Sequence, residues 1–355
     1  MASSPETISS VLLLASLPSL SAPHFLAPVI VSAANAASSR LRIVLFSRLF
    51  DPDAISHTQN WDHVQRLLTY VYVQATKTAQ DMDKPLLHVD VLLKGTNVQE
   101  TLPEDTAEGC EVVYRVSGDA IVAALPPALL ELSHRYVAAG SYEGRTSSEA
   151  SEDDAIPSML PVVALGGTFD HLHAGHKILL SMAAWIASQK VIVGVTNATL
   201  LKSKSNAHVL ESLETRKANV QYFLELFKPG LEYDIVPIDD VYGPTGWDPY
   251  IQGLVVSRET ISGAEIIATH REKEQLPKLA VFIIDVISHT SSNITEEDLS
   301  LMRQTKMSST LIRNWIVDRE KQPRASQILK IESDTEGYLK PVERGEVGCV
   351  GSPDV

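Results

Sequence analysis

The sequence contains little cysteine and has a deficit of basic charge. Only two cysteines, Cys110 and Cys349, occur among 355 residues, and neither lies in a Cys-x-x-Cys pair. The pattern therefore predicts neither a disulfide framework nor a thiolate zinc site, and it fits a reducing compartment. A total of 30 Lys and Arg against 44 Asp and Glu gives a formal net charge of −14. That balance argues against general binding to nucleic acid or an anionic membrane, both of which need a basic surface.

Long apolar runs are also missing. Residues 7–39 carry no charged side chain, but Pro18, Pro23 and Pro28 divide them and no basic segment precedes them. We therefore expect neither a signal peptide nor a transmembrane helix. An early Arg-rich presequence is lacking too, so a cytoplasmic location is predicted, with association with mitochondria left open.

The length and a hydrophobic content of 44% predict two globular domains. Apolar patterning over residues 1–140 predicts an N-terminal α/β domain of unknown role, which ends in a helix over 126–137. No repeat of fixed period is evident. Residues 141–158 are rich in Ser, Gly and acidic side chains and are interpreted as a solvated linker, and 331–355 as a loose C-terminal tail.

Residues 159–330 show the most regular alternation of strands and helices. The predicted strands, at 162–165, 191–195, 233–238, 254–257 and 280–286, are almost wholly apolar, as parallel strands covered on both faces must be. The pattern predicts an α/β fold with a doubly wound, Rossmann-like parallel sheet. Ligands of such sheets bind beyond the carboxyl ends of the strands.

One such strand end carries the sequence Gly-Gly-Thr-Phe-Asp-His-Leu-His-Ala-Gly-His-Lys, residues 166–177. Gly166 and Gly167 allow a tight turn and a close backbone approach to a ligand. His173 and His176 lie three residues apart at the start of the next helix, so both can face one ligand. The three histidines of this segment could instead hold a metal ion. The preceding Gly-Gly-Thr favours a phosphate, and no metal site is predicted.

This segment resembles the HxGH signature of the nucleotidyltransferase superfamily, in the version found in eukaryotic phosphopantetheine adenylyltransferases. Residues 306–313, Lys-Met-Ser-Ser-Thr-Leu-Ile-Arg, are similar to the SSTxxR element of that family. Residues 254–260, Leu-Val-Val-Ser-Arg-Glu-Thr, resemble its VVSxET strand end. The resemblance spans residues 160–320 and rests on two signatures in the right order, which is more specific than either one alone.

The resemblance implies transfer of adenylyl from ATP, with Mg²⁺ on the triphosphate, to 4′-phosphopantetheine, yielding dephospho-coenzyme A and pyrophosphate. The residues expected to take part in catalysis are His176, His173, Lys204, Lys202 and Arg258. Those expected at the nucleotide are Gly166, Gly167, Thr168, Phe169, His173, His176, Ser308, Ser309, Thr310 and Arg313. Thr168, Lys202 and Lys204 are expected at the acceptor phosphate. This phosphate is already ionised near neutral pH, so direct in-line attack needs no general base and no covalent intermediate.

Several alternatives stay open. Lys202 and Lys204 compete for one role. Arg271 stands where the family has the Arg of an N-x-x-R element, but Ala268 occupies the position of the usual Asn, so Arg271 is a weaker candidate. The absence of any Gly-Lys dipeptide excludes a P-loop kinase. The chain could also be a cytidylyltransferase acting on another phosphorylated alcohol, or a non-catalytic scaffold of the same fold. A homo-oligomer, or a complex with other enzymes of coenzyme A synthesis, is possible.

Overall fold

The computed structural model of this protein describes most of the chain. The described residues form an N-terminal unit within 8–141, a C-terminal unit within 156–284 and a helix within 308–321. The described residues are 8–21, 23–51, 53–97, 102, 104–121, 123–141, 156–202, 204–284 and 308–321.

The N-terminal unit is a parallel sheet of five strands in the order β3-β2-β1-β4-β5. Its strands are β1 Ile8–Ser16, β2 Ala37–Phe46, β3 His88–Lys94, β4 Val112–Val116 and β5 Ser133–Val137. Its helices are α1 Ala27–Ala36, α2 Trp61–Asp81 and the short α3 Pro127–Leu130.

The C-terminal unit is a second parallel five-stranded sheet, ordered β10-β9-β6-β7-β8. Its strands are β6 Leu160–Gly167, β7 Ala187–Thr196, β8 Glu232–Ile238, β9 Gly253–Ser257 and β10 Ala280–Ile284. Its helices are α4 Ala174–Ile186, α5 Leu213–Phe227, α6 Ile261–Lys273 and α7, residues 309–321.

The predicted fold class is confirmed, since both units are parallel α/β sheets. One predicted element is wrong: the helix over 126–137 is only the single turn of α3, and Ser133–Val137 form the edge strand β5 beside β4. Tyr136 and Val137 favour extended backbone, and pairing with β4 outweighs the helix start at Pro126. The domain boundaries stay a prediction, because most of the proposed linker and the whole tail fall outside the described residues. Among the described residues no helix combines the length and apolar character of a membrane crossing.

The two sheets share one topology. In each, the first strand is central, the second and third lie on one side of it, and the fourth and fifth on the other. The pairing of the first two strands also slips at the same place, between Ile8 and Ser10 in the N-terminal unit and between Leu160 and Val162 in the C-terminal unit. A shared irregularity of register is a detail that general fold class does not impose.

Side-chain hydrogen bonds repeat between the units as well. Lys84 donates to the carbonyls of Asn35 and Ala37 at the end of α1, and Lys228 donates to those of Ala184 and Ala187 at the end of α4. Each lysine thereby binds the negative end of a helix dipole.

The same correspondence holds at the start of the fourth strand. The Glu111 carboxylate accepts the N–H of Ser10, while the Gln252 side chain accepts the N–H of Val162. We conclude that the chain contains one structural duplication, of about 150 residues by the offset from Ala37 to Ala187. Patterning did not reveal it, because strand apolarity is common to any parallel sheet.

The two units pack into one molecule with a continuous apolar core. Helix α2 packs on α1 of its own unit and on α4 of the other, and α5 packs on β3. At this contact the Lys177 ammonium is buried and donates to the Asp90 carboxylate at 2.6 Å and to the Val89 carbonyl at 2.8 Å. Burial alone would raise the pKa of Asp90, but Lys177 holds it below its ordinary value.

Removing one partner of this pair should destabilise the fold strongly. Lys177→Met leaves a buried, uncompensated carboxylate, and we expect the free energy of unfolding to fall by about 3 kcal/mol or more. The double variant Lys177→Met/Asp90→Leu should recover most of that loss. Urea unfolding measures both variants. Lys190→Met, which breaks only the exposed contacts to Glu232 and Asp234, is the control and should cost less than about 1 kcal/mol. Equal losses of unfolding free energy in Lys177→Met and Lys190→Met would contradict the role of the buried pair.

Candidate active site

A cavity of about 920 Å³ opens at the carboxyl ends of the strands of the C-terminal unit. The order of the strands reverses at β6, so this is the switch point where a doubly wound sheet binds its ligands. Residues from both signature motifs line the same cavity. The predicted site residues among its lining are Gly166, Gly167, Thr168, His173, His176, Lys204, Arg258, Ser308, Ser309, Thr310 and Arg313.

Asp170 holds the two motifs together. Its carboxylate, fully buried, forms an ion pair with Arg313 and accepts the N–H of Glu211 at 2.9 Å. The carbonyl of Asp170 accepts the Ser309 hydroxyl at 2.8 Å. Because Asp170 lies between Thr168 and His173, these bonds place the start of α7 directly over the glycine-rich turn. The Ser308 hydroxyl caps α7 by accepting the N–H of Leu311 at 3.3 Å, as predicted.

Arg313 was expected at the triphosphate. It lines the cavity, but its guanidinium also donates to the Ser205 carbonyl at 3.0 Å and to the Thr310 hydroxyl at 3.2 Å, besides the Asp170 carboxylate. All three nitrogens therefore have partners within the protein. Arg313 therefore fixes the start of α7. Because Nη1 and Nη2 each carry a second N–H, its expected contact with the triphosphate stays a prediction.

His173 and His176 stack at the mouth of α4, with ring centroids 3.9 Å apart and planes inclined by 25°. His173 is the N-cap residue of the helix, yet its side chain makes no capping bond. The Nδ1 atoms of both rings are buried without a hydrogen-bond partner in the protein. Both residues line the cavity, and buried polar atoms are normally satisfied, so the pair is a candidate for contact with a ligand.

Burial keeps both imidazoles neutral. It lowers the pKa of His173 to about 4, with Lys177 and His171 adding to the decrease and Asp170 opposing it. It lowers the pKa of His176 well below the ordinary value, and the neighbouring His173 lowers it further. At neutral pH the pair therefore presents neutral imidazole N–H donors at the positive end of a helix dipole, an arrangement that suits an anion.

Two expected site residues do not reach the cavity. Lys202 is exposed and stands outside the lining, whereas Lys204 belongs to it. Phe169 is fully buried with a φ of 51°, and its ring packs beneath Gly167 and 5.3 Å from the ring of His176. A Cβ on Gly167 would come within 3.0 Å of the Phe169 ring. The Phe169 ring thus supports the turn and the imidazole from below and lies outside the cavity lining.

The charged residues of the loop after β8 have structural partners. The Asp240 carboxylate accepts the N–H groups of Tyr242 and Gly243, as in a turn. Arg271 is 1% exposed and donates to the carbonyls of Thr245, Asp248 and Pro277. It therefore holds this loop in place and does not take the phosphate role that its position in the sequence suggested.

Sequence reasoning missed Arg216, which ties together the ends of β6 and β7 beside the cavity. This side chain is 1% exposed and donates to the carbonyls of Thr168 and Thr196, at the ends of β6 and β7, and to that of Glu211. No motif marks it. Its only signal is an arginine among the apolar positions of an amphipathic helix, where a buried cation must find several acceptors.

One group of potential metal ligands occurs in the described part of the chain: Asp170, His171 and Glu211 offer atoms within 4.8 Å of one another. Each already has protein partners. Asp170 pairs with Arg313, the Glu211 carboxylate accepts the N–H of His171, and the His171 ring meets the Val209 carbonyl at 2.8 Å. We read the group as the scaffold of the turn.

Comparison with known proteins places this site in a family. The family model for cytidylyltransferase-like proteins matches residues 164–315 of this chain. A phosphopantetheine adenylyltransferase of Saccharomyces cerevisiae is 46% identical over 39% of this chain and 46% of its own length. An uncharacterized protein of Schizosaccharomyces pombe is 41% identical over 46% of this chain and 51% of its own. A phosphopantetheine adenylyltransferase of Pyrobaculum aerophilum is 36% identical over 37% of this chain and 86% of its own.

The chain therefore belongs to the cytidylyltransferase-like nucleotidyltransferases. Within that class it is a member of the phosphopantetheine adenylyltransferase family. The matched segment spans about half the length of the two fungal relatives but nearly all of the archaeal one. The family match covers the C-terminal unit and begins after the N-terminal unit has ended.

The neutral histidines make the fold sensitive to acid. Between the pKa of about 4 that His173 has in the folded state and the model-peptide value near 6.5, only the unfolded chain binds the proton. Stability should therefore fall as the pH drops from 7 to 5, by about 2 kcal/mol from this residue. Urea unfolding at both pH values should show a smaller loss for His173→Asn than for the unaltered protein. Parallel losses would mean that His173 is not held neutral.

Proposed function

We propose that this protein transfers the adenylyl group of ATP to 4′-phosphopantetheine, releasing pyrophosphate and forming dephospho-coenzyme A. The observation that carries the proposal is the shared cavity. The glycine-rich turn, the two buried imidazoles with unpartnered Nδ1 atoms, and the capped start of α7 all face it. The names of the yeast and archaeal relatives support the choice of substrates.

Each end of the site suits one phosphate-bearing partner. The start of α7, with Ser308, Ser309 and Thr310, offers backbone N–H groups and the positive end of a 13-residue helix to the β- and γ-phosphates. Thr168 and Lys204 lie at the ends of β6 and just beyond β7, where the acceptor phosphate would approach. We assign the α-phosphate to His173 and His176, which line the same cavity.

The chemistry needs positioning and charge stabilisation more than proton transfer. The acceptor phosphate attacks the α-phosphorus in line, the bond to the bridging oxygen of the pyrophosphate breaks, and pyrophosphate leaves towards α7. The imidazole N–H groups bind the oxygens on which charge increases in the transition state, and their neutrality avoids any need to lose a proton beforehand. Mg²⁺ enters with ATP, held by phosphate oxygens and water.

Purified protein supplied with ATP or CTP and with each candidate acceptor tests the substrate assignment through pyrophosphate release. Turnover with ATP and 4′-phosphopantetheine, and not with CTP and phosphocholine or glycerol phosphate, is the expected result. Turnover with CTP alone would establish the cytidylyltransferase alternative. No turnover with any pair would favour the non-catalytic scaffold, against which the retention of both histidines and both serines argues.

His176 should matter for rate and little for folding. Because a neutral donor aimed at the transferred phosphate is lost, His176→Asn should lower kcat by about 10²- to 10³-fold. Its melting temperature should stay within a few degrees, since the substitution is close in size. Single-turnover kinetics measures the chemical step. His208→Asn, on an exposed turn outside the cavity lining, is the matched control. Retained turnover in His176→Asn would remove the assigned role.

The two lysines should separate in their effect on the acceptor. Lys204→Ala should raise the KM for 4′-phosphopantetheine by about tenfold, because a charge-assisted contact to phosphate contributes about 1.5 kcal/mol. Lys202→Ala, two residues away and outside the lining, serves as the control and should leave that KM within twofold, a change of less than about 0.5 kcal/mol. Steady-state kinetics with ATP at saturation measures both variants. A larger effect of Lys202 would reverse the assignment.

A further inference from the structure

The N-terminal unit contributes to the cavity of the other unit. Tyr72, Val73 and Thr76, on one face of α2, belong to the cavity lining, although they lie about 90 residues before the matched family segment begins at residue 164. The same lining includes Ile178 and Leu179 of α4, the helix on which α2 packs, and Ile284 at the end of β10. A helix of the duplicated unit thus forms one wall of the candidate active site.

This wall offers apolar contact, since its polar groups are used inside the protein. The Thr76 hydroxyl donates to the Tyr72 carbonyl at 2.7 Å, and the Tyr72 hydroxyl accepts the N–H of Val91 at 3.1 Å. Tyr72 is fully buried, whereas Val73 is partly exposed to the cavity. A flat, uncharged group therefore fits the wall, and a phosphate does not.

The wall stands on the nucleotide side of the site. The proposed acceptor contacts, Thr168 and Lys204, lie towards β7. Helix α2 lies towards β10, because Ile284 at the end of β10 shares the cavity lining with Val73 and the ring of Trp61 is 5.0 Å from that of Phe282 on β10. Strands β7 and β10 are on opposite sides of β6. A nucleotide whose α-phosphate sits at His176 and whose acceptor occupies the β7 side has its base on the β9–β10 side, against α2.

The same helix leads to a contact with α7. Two residues after α2 ends, the Asp83 carboxylate accepts the Trp315 indole N–H at 3.2 Å and the Arg319 guanidinium at 2.5 Å. These donors lower the pKa of Asp83. The N-terminal unit therefore forms one wall of the cavity and also contacts α7, the helix whose start is assigned to the triphosphate.

The N-terminal unit lacks histidines at the positions equivalent to His173 and His176. Counting back from the equivalent residues Ala37 and Ala187, Pro23 and Leu26 stand where the C-terminal unit has His173 and His176. At the end of β1 the Asp119 carboxylate already accepts the N–H of Ser16 at 2.7 Å. An aspartate in that place repels an anion instead of receiving it.

We propose that the N-terminal unit is a duplicated transferase unit that no longer binds nucleotide itself and instead completes the base-binding half of the neighbouring site, with Val73 as a residue that contacts the base. The proposal rests on the proposed function, because it takes the nucleotide and acceptor ends from there. It makes the N-terminal unit part of the active site and not only a folding or docking partner.

Val73→Phe in the full-length chain tests the proposal by intruding on the base. The Kd for ATP, measured by calorimetry without acceptor, should rise at least about tenfold, and the KM for ATP should rise with it. The kcat and the KM for 4′-phosphopantetheine should stay within about twofold. Val73→Ala cannot clash and should raise the Kd for ATP by about threefold through lost contact. Gln74→Phe, the adjacent residue on α2 outside the cavity lining, controls for a bulky side chain on this helix and should bind ATP normally.

Each other outcome is decisive. A rise in the acceptor KM with an unchanged Kd for ATP would place the wall on the acceptor side and overturn the proposal. Unaltered constants in both Val73 variants would also overturn it, as would equal effects of Val73→Phe and Gln74→Phe. Failure of the proposed function has a different signature, since the unaltered protein would then release no pyrophosphate from ATP and 4′-phosphopantetheine.

Discussion

The site depends on one buried ion pair. Asp170 and Arg313 are 143 residues apart in the chain, and their contact, together with the bond from the Ser309 hydroxyl to the Asp170 carbonyl, brings two short motifs to one cavity. Neither motif makes a site alone. A glycine-rich turn with two histidines can bind one phosphate, and a capped helix start can bind another, but transfer between phosphates requires both at a set separation. Both members of the pair are nearly inaccessible to water, so the electrostatic attraction is little screened.

Much of the site could be predicted from the sequence, because its signals are local. The apolar strands, the turn at Gly166 and Gly167, and the serine cap of α7 are each written within a dozen residues, and the structure brings these elements together around one cavity. The choice between Lys202 and Lys204 could not be made, since alternation of side chains in an irregular loop has no fixed period. The structural roles of Phe169 and Arg271 could not be predicted from the sequence for another reason. Both depend on which long-range neighbour fills the space beside them.

Lys177 shows most clearly what could not be predicted from the sequence alone. Its place directly after His176 in an acidic chain suggests a phosphate ligand, and charge counting adds it to the local positive field. Its ammonium instead points away from the cavity, into a contact with Asp90 from β3 of the other unit. Only the packing of the two units decides whether Lys177 faces a phosphate or pairs with Asp90. Lys177 and Asp90 are 87 residues apart in the chain. The duplication could not be predicted from the sequence for a similar reason. What the two halves share is strand order, a slip in register and two capping lysines, while the residues that mark function are present in only one half.

The duplication gives a physical account of why the N-terminal unit persists. A single five-stranded unit would leave the α4 side of its sheet open beside β10, and there α2 supplies cover through Trp61 on Phe282. Desolvation by burial is the main cause of the lowered pKa values of His173 and His176. Neutral imidazoles are useful here because they can donate to the transferred phosphate without first exchanging a proton, and their electrostatic effect is larger where water is absent.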